Sequence, residues 1–205
     1  MRFQQIYDWI EAHKPEVILE TGTWNAQNAV RMLKEGGKSY IGFDLWEDGD
    51  EVLDEVENNA KKRVTFADAQ KTLIEYTAEL IKGNTRDTLP WYVKDKKPFV
   101  DMALIDGGHS KGTIKNDLLN ILPLMKQTGV IFIDDYYFGC PTAGIGAQSL
   151  MGEIQLPYVV LPKADKAKGG YLVKIVQIHM RDVARPHSWD VPEEQAWKFV
   201  PGEAA

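Results

Sequence analysis

The stretch DMALIDGGHSKGTIKNDLLNILPLMKQTGVIFIDDY, residues 101–136, decides the fold. It contains two apolar runs, Met102–Ile105 and Val130–Ile133, and each run is too short for a helix. Between them, apolar residues recur at helical spacing, namely Ile114, Leu118, Ile121 or Leu122, and Met125. A strand, a helix and a strand within about thirty residues form a βαβ unit. The stretch therefore predicts two adjacent parallel strands of an α/β sheet.

Carboxylates follow both apolar runs. Asp106 closes the first run, and Asp134 with Asp135 closes the second; His109 lies three residues beyond Asp106. Because parallel strands end at the same edge of a sheet, we expect the three carboxylates together at the edge where α/β sheets bind ligands. Crowded carboxylates repel one another, and a divalent cation such as Mg2+, Mn2+ or Ca2+ relieves that repulsion. The alternative is that Asp134 and Asp135 only end a strand and cap a turn.

Composition restricts the class of protein. The chain has 205 residues, a net charge of −6 and a pI near 5.3, which predicts one soluble domain and argues against a nucleic acid as the main partner. No apolar run approaches a membrane span, and the first residues lack a signal-peptide core, so no membrane association is expected. Cys140 is the only cysteine, which excludes an intrachain disulfide and favours a reducing, cytoplasmic setting.

Residues 1–180 are expected to form the domain, with a helix ahead of its first strand, and residues 181–205 an irregular tail. We expect the tail to lie on the surface or against a neighbouring subunit, which leaves a homo-oligomer open. The acidic segment around Val52 and Val56 predicts an amphipathic helix with a solvated face. Near the end of the domain, Tyr158–Leu161 and Tyr171–His179 predict an antiparallel hairpin at the edge of the sheet.

Three turns ahead of this stretch carry polar residues that suit a nucleotide-like ligand. The short strand Val17–Leu19 passes through Glu20 and Gly22 into a helix, and a glycine there lets a ligand approach the backbone. Asp44 ends the second strand, where an acidic residue accepts hydrogen bonds from ribose hydroxyls, and Glu47 is the reserve candidate for that role. After the third strand, a tight turn at Gly83 presents Asn84 and Thr85.

The motifs ETGTWNAQNA, IGFD, IKGNTRDTLP, IDGGHS and VIFIDDY, taken in this order, resemble the class I S-adenosylmethionine-dependent methyltransferases. Within that family the chain is most similar to the branch of macrocin O-methyltransferase and related sugar O-methyltransferases. The resemblance covers residues 15–180. It implies an α/β, Rossmann-like, doubly wound sheet of seven strands, mostly parallel, with an antiparallel C-terminal hairpin.

The resemblance also implies roles for residues. The methionine end of S-adenosylmethionine would lie against Glu20, Gly22 and Thr23, the ribose against Asp44, and the adenine between Asn84 and Thr85. In metal-dependent members the magnesium ligands match Asp106, Asp134 and Asp135, and the general base matches His109. Asp106 then counts among the cofactor-binding and catalytic residues as well as the metal ligands. The expected acceptor is the hydroxyl of a small molecule or sugar that presents two vicinal oxygens to the metal.

Two residues depart from the pattern of the family. Ala26 stands where relatives often have a second glycine, and Lys111 replaces an aromatic residue common after the histidine. No motif typical of DNA base methylation follows the fourth strand. Two other functions remain: a hydroxylase component that shares this fold, and a cofactor-binding module that serves a partner subunit without methyl transfer.

Overall fold

The structure is a computed structural model, and it describes residues 1–48, 64–139, 144–167 and 170–183. The predicted acidic helix around Val52 and Val56, Cys140 and residues 184–205 of the predicted tail lie outside the described residues.

One mixed sheet forms the centre of the fold. Its strands run in the order β3-β2-β1-β4-β5-β8-β6, and β7 pairs with β8. The five strands β1 to β5 are parallel, whereas β6, β7 and β5 are all antiparallel to β8. The strands are β1 (Val17–Thr21), β2 (Ser39–Asp44), β3 (Ala78–Lys82), β4 (Val100–Ile105), β5 (Met125–Phe138), β6 (Val159–Val160), β7 (Asp165–Lys166) and β8 (Leu172–His179). The predicted α/β class and antiparallel C-terminal strands are confirmed, and the two-residue β7 makes the sheet eight-stranded rather than seven-stranded.

Helices cover both faces of the sheet, so the core has two layers. They are α1 (Gln4–His13), α2 (Gln27–Lys34), α3 (Phe66–Thr72), α4 (Thr85–Val93), α5 (Lys111–Ile121) and α6 (Gln148–Met151). Buried residues of α1, α2 and α3 pack with Met102, Leu104 and Phe132 on one face. Those of α4, α5 and α6 pack with Ala103 and Ile105 on the other. Alternate residues of a strand point to opposite faces of the sheet, so a single strand contributes side chains to both layers of the core.

The fifth strand is longer than its apolar run. We predicted that Asp134 and Asp135 close the strand, but β5 continues through them to Phe138. The pairing with β8 shifts between Ile133, which lies opposite Val176, and Tyr136, which lies opposite Lys174. Two residues therefore oppose one, which is a β-bulge, and pairing resumes beyond it. The two carboxylates lie at this bulge rather than at a strand end.

Among the helices of the described ranges, none combines the length and the apolar character that a membrane crossing needs.

Candidate functional site

The parallel register brings the three predicted carboxylates together. Ile105 pairs with Ile133, so Asp106, just past the end of β4, and Asp134, at the bulge of β5, lie side by side. Carboxylate oxygens of Asp106, Asp134 and Asp135 all lie within 4.8 Å of one another. Asp134 is 2% exposed, whereas Asp106 and Asp135 are half-buried. An acidic cluster of hard oxygen donors thus lies at the edge of the sheet that the sequence indicated.

The cluster already contains a cation that sequence analysis missed. Arg2, just ahead of α1, donates from Nε to Oδ1 of Asp134 over 2.7 Å and from Nη2 to Oδ2 over 2.5 Å. Nη2 is also 3.9 Å from Oδ1 of Asp135. Burial works to lower the pKa of Arg2, but the hydrogen bond and charge of Asp134, with Asp135 and Asp106, outweigh burial and raise it. No sequence pattern connects residue 2 with residue 134, because the contact exists only in the folded chain.

Arg2 has a second acidic partner outside the cluster. Its Nη1 is 3.2 Å from Oδ2 of Asp165 in β7, and its backbone N–H donates to the same carboxylate over 3.2 Å. The Asp165 side chain is 33% exposed, so this partner lies at the surface. Arg2 therefore bridges the bulge of β5 and the C-terminal strands.

Asp135 and His109 form a pair beside Asp134. Nε2 of His109 is 3.0 Å from Oδ2 of Asp135. The bulge places Asp135 at φ +57°, a left-handed conformation that turns its side chain away from the regular strand direction. Burial raises the pKa of Asp135, but the hydrogen bond and charge of His109, with Arg2, outweigh burial and hold that pKa below its ordinary value. Burial and the charge of Asp135 raise the pKa of Asp134, against the opposing effect of Arg2.

The glycine turn after β1 touches the acidic cluster. Gly22 has φ +89°, and a Cβ on it would lie 2.1 Å from the carbonyl oxygen of Asp106. The N–H of Asp106 donates to the carbonyl of Thr21 over 2.9 Å, which holds the two strand ends in contact. Ala26, the departure from the family pattern, keeps a left-handed backbone at φ +59° without being glycine.

Glu20 and Thr23 belong to a buried hydrogen-bond network. Glu20 lies inside β1, whereas we predicted that it begins the turn; it is 1% exposed. Tyr40 donates from its hydroxyl to Oε2 of Glu20, and Asn28 donates to Oε1 over 2.7 Å. Tyr40 also contacts Oγ1 of Thr23 at 2.9 Å. Sequence analysis missed Tyr40 and Asn28, which position the predicted cofactor residues from β2 and α2.

Asp44 fastens two segments at the end of β2. Its Oδ2 accepts from the N–H of Trp24 over 2.6 Å, and its Oδ1 accepts from the N–H of Trp46 over 2.9 Å. Each carboxylate oxygen has a second lone pair that can accept a ribose hydroxyl. Glu47, the reserve candidate, instead binds Nζ of Lys82 and the N–H of Phe66, each over 2.8 Å.

The predicted turn after β3 is the start of α4. Asn84 caps this helix, because its side-chain oxygen accepts from the N–H of Arg86 over 3.0 Å, and Thr85 is the first helical residue. Gly83 N–H donates to the carbonyl of Asp44 over 2.9 Å, which brings Asn84 beside the end of β2. One edge of the sheet, formed by the ends of β1 to β4 and the bulge of β5, thus carries Gly22, Asp44, Asn84 and the acidic cluster.

Comparison with known proteins identifies the fold and the family. The family described as "Methyltransferase domain" matches residues 19–136, more than half of the chain. No curated protein matches the chain in sequence. Similar solved structures include the O-methyltransferase TomG of Streptomyces achromogenes, involved in tomaymycin synthesis and in complex with S-adenosylmethionine; it is 16% identical, over 86% of this chain and 78% of that one, with a TM-score of 0.58.

Two further structures carry the demethylated cofactor. The O-methyltransferase of Bacillus cereus in complex with S-adenosylhomocysteine is 16% identical, over 86% of this chain and 79% of that one, with a TM-score of 0.60. The S-adenosylhomocysteine-bound methyltransferase PaMTH1 of Podospora anserina is 18% identical, over 89% and 80%, with a TM-score of 0.59. At these identities the likeness establishes the fold, and the family match establishes the rest: this chain belongs to the methyltransferase domain family.

Proposed function

We propose that this protein is an S-adenosylmethionine-dependent, divalent-metal-dependent O-methyltransferase that acts on a small hydroxylated molecule or sugar. The observation that carries the proposal is the acidic cluster with His109, at the edge of the sheet where Gly22 touches Asp106. The cofactors bound in the solved structures of TomG and the Bacillus cereus enzyme support methyl transfer on the same fold.

The cofactor residues are proposed as the resemblance assigned them. Asp44 and Asn84 border the ribose and adenine, and Gly22 with Thr23 borders the methionine end. Glu20 acts through the network of Tyr40 and Asn28, since each of its oxygens accepts a hydrogen bond there. The cofactor supplies the methyl group on a sulfonium cation, and the neighbouring Glu20 and Asp106 place negative charge near it.

The acidic cluster fits a divalent cation by the chemistry of its donors. Asp106, Asp134 and Asp135 offer only carboxylate oxygens, which suit Mg2+, Mn2+ or Ca2+. When bound there, such an ion lowers the pKa of a hydroxyl that it contacts. Asp134 is nearly fully buried, so its charge needs a cation partner in the folded chain.

His109 is proposed as the general base. The contact of its Nε2 with Asp135 defines a base oriented by a carboxylate, the arrangement that recurs in acid–base catalysis. When Nε2 carries the proton that Asp135 accepts, Nδ1 is the nitrogen of the ring that can take a proton from the acceptor hydroxyl. Asp135 then stabilises the imidazolium that results.

The acceptor class is inferred from the macrocin-like branch, and vicinal oxygens would suit a metal held by three carboxylates. The net charge of −6 supports a small molecule rather than a nucleic acid as partner, and the single cysteine supports a cytoplasmic setting. Self-association into a homo-oligomer is likewise proposed from the sequence.

The alternative function is a cofactor-binding module, either a partner subunit or a hydroxylase-like component, that transfers no methyl group. The contact of Arg2 with both oxygens of Asp134 favours it, because a guanidinium already balances the charge of this most buried member of the cluster. Both functions require cofactor binding, whereas only the leading one requires a metal.

Calorimetry with S-adenosylhomocysteine, followed by anomalous scattering from crystals soaked in Mn2+, separates these functions. The leading proposal expects binding in the first experiment and a manganese peak among the three aspartates in the second.

Asp44→Asn should weaken the binding of S-adenosylhomocysteine by about 1–3 kcal/mol, because the ribose hydroxyls lose a charged acceptor. Glu75→Gln, at an exposed position, is the control. An unchanged affinity of the Asp44 variant would remove Asp44 from the cofactor site.

A further inference from the structure

Arg2 is the only group shown to donate to both oxygens of Asp134 in the described part of the chain, and these oxygens are the ones that a divalent cation would use. We propose that Arg2 is a built-in counter-ion that exchanges with the divalent cation at Asp134, and so sets the affinity of the site for metal. This inference rests on the metal site proposed above, and it deepens that proposal by naming how the site is regulated.

The need for a counter-ion follows from burial. Asp134 is 2% exposed, and Asp106 and Asp135 bring two further carboxylates within 4.8 Å. An isolated carboxylate in such a position is costly to desolvate, so ionised Asp134 requires a cation partner in the folded chain even without metal. Arg2 supplies it with the two-pronged geometry in which a guanidinium binds a carboxylate most strongly.

The same geometry opposes metal binding. Both prongs of the guanidinium point at Asp134, and a divalent cation on these oxygens would meet a fixed positive charge at close range. Like charges repel strongly where water is largely excluded, and the side chain of Arg2 is only 20% exposed. Arg2 therefore has to withdraw at least one prong when the divalent cation binds.

A place for the withdrawn guanidinium already exists at Asp165. Nη1 and the backbone N–H of Arg2 both contact this carboxylate at 3.2 Å, outside the acidic cluster. The two segments are also tied by Gln5, whose side-chain oxygen accepts from the N–H of Lys163 over 2.9 Å. The backbone of Arg2 can thus stay in place, and a rotation of the side chain is sufficient to leave Asp134.

Exchange of this kind makes the two cations competitors. The free energy that Arg2 contributes to the metal-free cluster is subtracted from the free energy of metal binding, and by linkage the metal weakens the contact between Arg2 and Asp134 equally. Asp134 keeps a cation partner in both states. Metal affinity then depends on a residue that is not a ligand.

The test compares Mn2+ binding by the full chain and its Arg2→Gln variant, measured by electron paramagnetic resonance of free Mn2+. We expect the Mn2+ affinity of Arg2→Gln to exceed that of the parent chain by about tenfold or more, in the usual range of coupling between two sites. Arg181→Gln is the matched control, because Arg181 is exposed and forms an ion pair with its neighbour Asp182; the Mn2+ affinity of this variant should equal that of the parent.

A second measurement keeps the test valid if Arg2→Gln does not fold. In the parent chain labelled with 15N, the Nε–H resonance of Arg2 should shift and lose protection from exchange as Mg2+ is added. Equal or weaker Mn2+ binding by a folded Arg2→Gln variant, or an Arg2 resonance unmoved at saturating Mg2+, overturns the exchange alone. Absence of Mn2+ binding by the parent and the variant alike overturns the proposed metal site together with the exchange.

Discussion

Gly22 shows how one residue can hold two strands of the site together. Its amide donates to the carbonyl of Phe43 over 2.8 Å, and its α-carbon lies against the backbone of Asp106 with no room for a side chain. The contact is backbone against backbone, so no rotamer change can relieve a clash. Gly22, a predicted cofactor residue, and Asp106, a predicted metal ligand, are therefore mechanically coupled.

Gly22→Ala should destabilise the chain by about 3 kcal/mol or more, since it adds overpacking to the cost of a left-handed alanine. Urea unfolding measures the change. Gly139→Ala is the matched control, because Gly139 has φ +81° but nothing within 4 Å of the added Cβ. If the two variants lose the same stability, strain of the backbone accounts for both and the close approach at Asp106 has no energetic weight.

His109 can act as a base or only as a partner of Asp135, and a pair of variants distinguishes these roles. His109→Ala should lower turnover about a hundredfold or more while the affinity for S-adenosylhomocysteine is unchanged, as expected when a general base is lost. His109→Gln retains a donor for Asp135 and still cannot accept the proton, so it should be equally slow. Recovery of turnover in the glutamine variant would assign His109 to structure rather than catalysis. His13→Ala, at an exposed position, is the control.

At this scale the sequence indicates what lies next to a strand and misses what arrives from elsewhere. Asp106 and Asp134 could be predicted together because an apolar run precedes each of them. Arg2 could not, since it reaches Asp134 across 132 positions through the packing of α1. Tyr40 lies in β2, and its hydrogen bond to Glu20 depends on the parallel register of β1 and β2.

At the scale of the elements, Glu47 connects the turn after β2 with β3 and α3. It follows β2 in the short helical turn Trp46–Asp48, and it joins Lys82 at the end of β3 to the N–H of Phe66 at the start of α3. The hydrogen bond from Lys82, followed by that from Phe66, holds the pKa of Glu47 at about 2, below the ordinary 4.5. The ionised form of Glu47 is therefore more stable in the folded chain than in the unfolded chain.

The sign of the pH effect follows from this lowered pKa. Glu47 contributes stability above pH 4.5, and this contribution disappears as the pH falls from 4.5 through 2. A 13C NMR titration should place the carboxyl of Glu47 near 2, and Lys82→Met should move it towards 4.5. Stability of Glu47→Gln should depend less on pH in this window than that of the parent. A Glu47 titration at 4.5 in the parent would show that the contacts with Lys82 and Phe66 are absent in solution.

Elements were predicted best where an apolar pattern spans their whole length. The pattern of β4 and α5 was sufficient to predict a βαβ unit, because burial on one face determines the period. The bulge in β5 was not visible, since it depends on pairing with β8, which follows much later in the chain. The helix that begins after the turn at Gly83 was not predicted, because Asn84 can be a turn residue or a helix cap, and only the hydrogen bond from the N–H of Arg86 distinguishes them.

For the whole molecule, the site is a set of strand ends held by helices on both faces, so a ligand bound across the edge should stabilise the complete fold. The order of the sheet puts β1 and β4 at its centre, between β2 and β3 on one side and β5 on the other. A cofactor that contacts Asp44, Asn84 and Gly22 would connect three of these strands. Ligands that bind only the folded chain raise its stability by mass action.

S-adenosylhomocysteine at a hundred times its dissociation constant should therefore add about 2.7 kcal/mol, which raises the midpoint of thermal unfolding by about 5–10 °C for a chain of this size. Mn2+ should add a separate increment of the same origin. Asp106→Asn removes one of the three proposed metal ligands and should abolish the increment from Mn2+ while retaining most of that from S-adenosylhomocysteine. S-adenosylhomocysteine and Mn2+ would have only the residue Asp106 in common, so the two increments of stability should be nearly additive. Scanning calorimetry with each ligand alone and with both checks this, and an Mn2+ increment that survives Asp106→Asn would place the metal elsewhere.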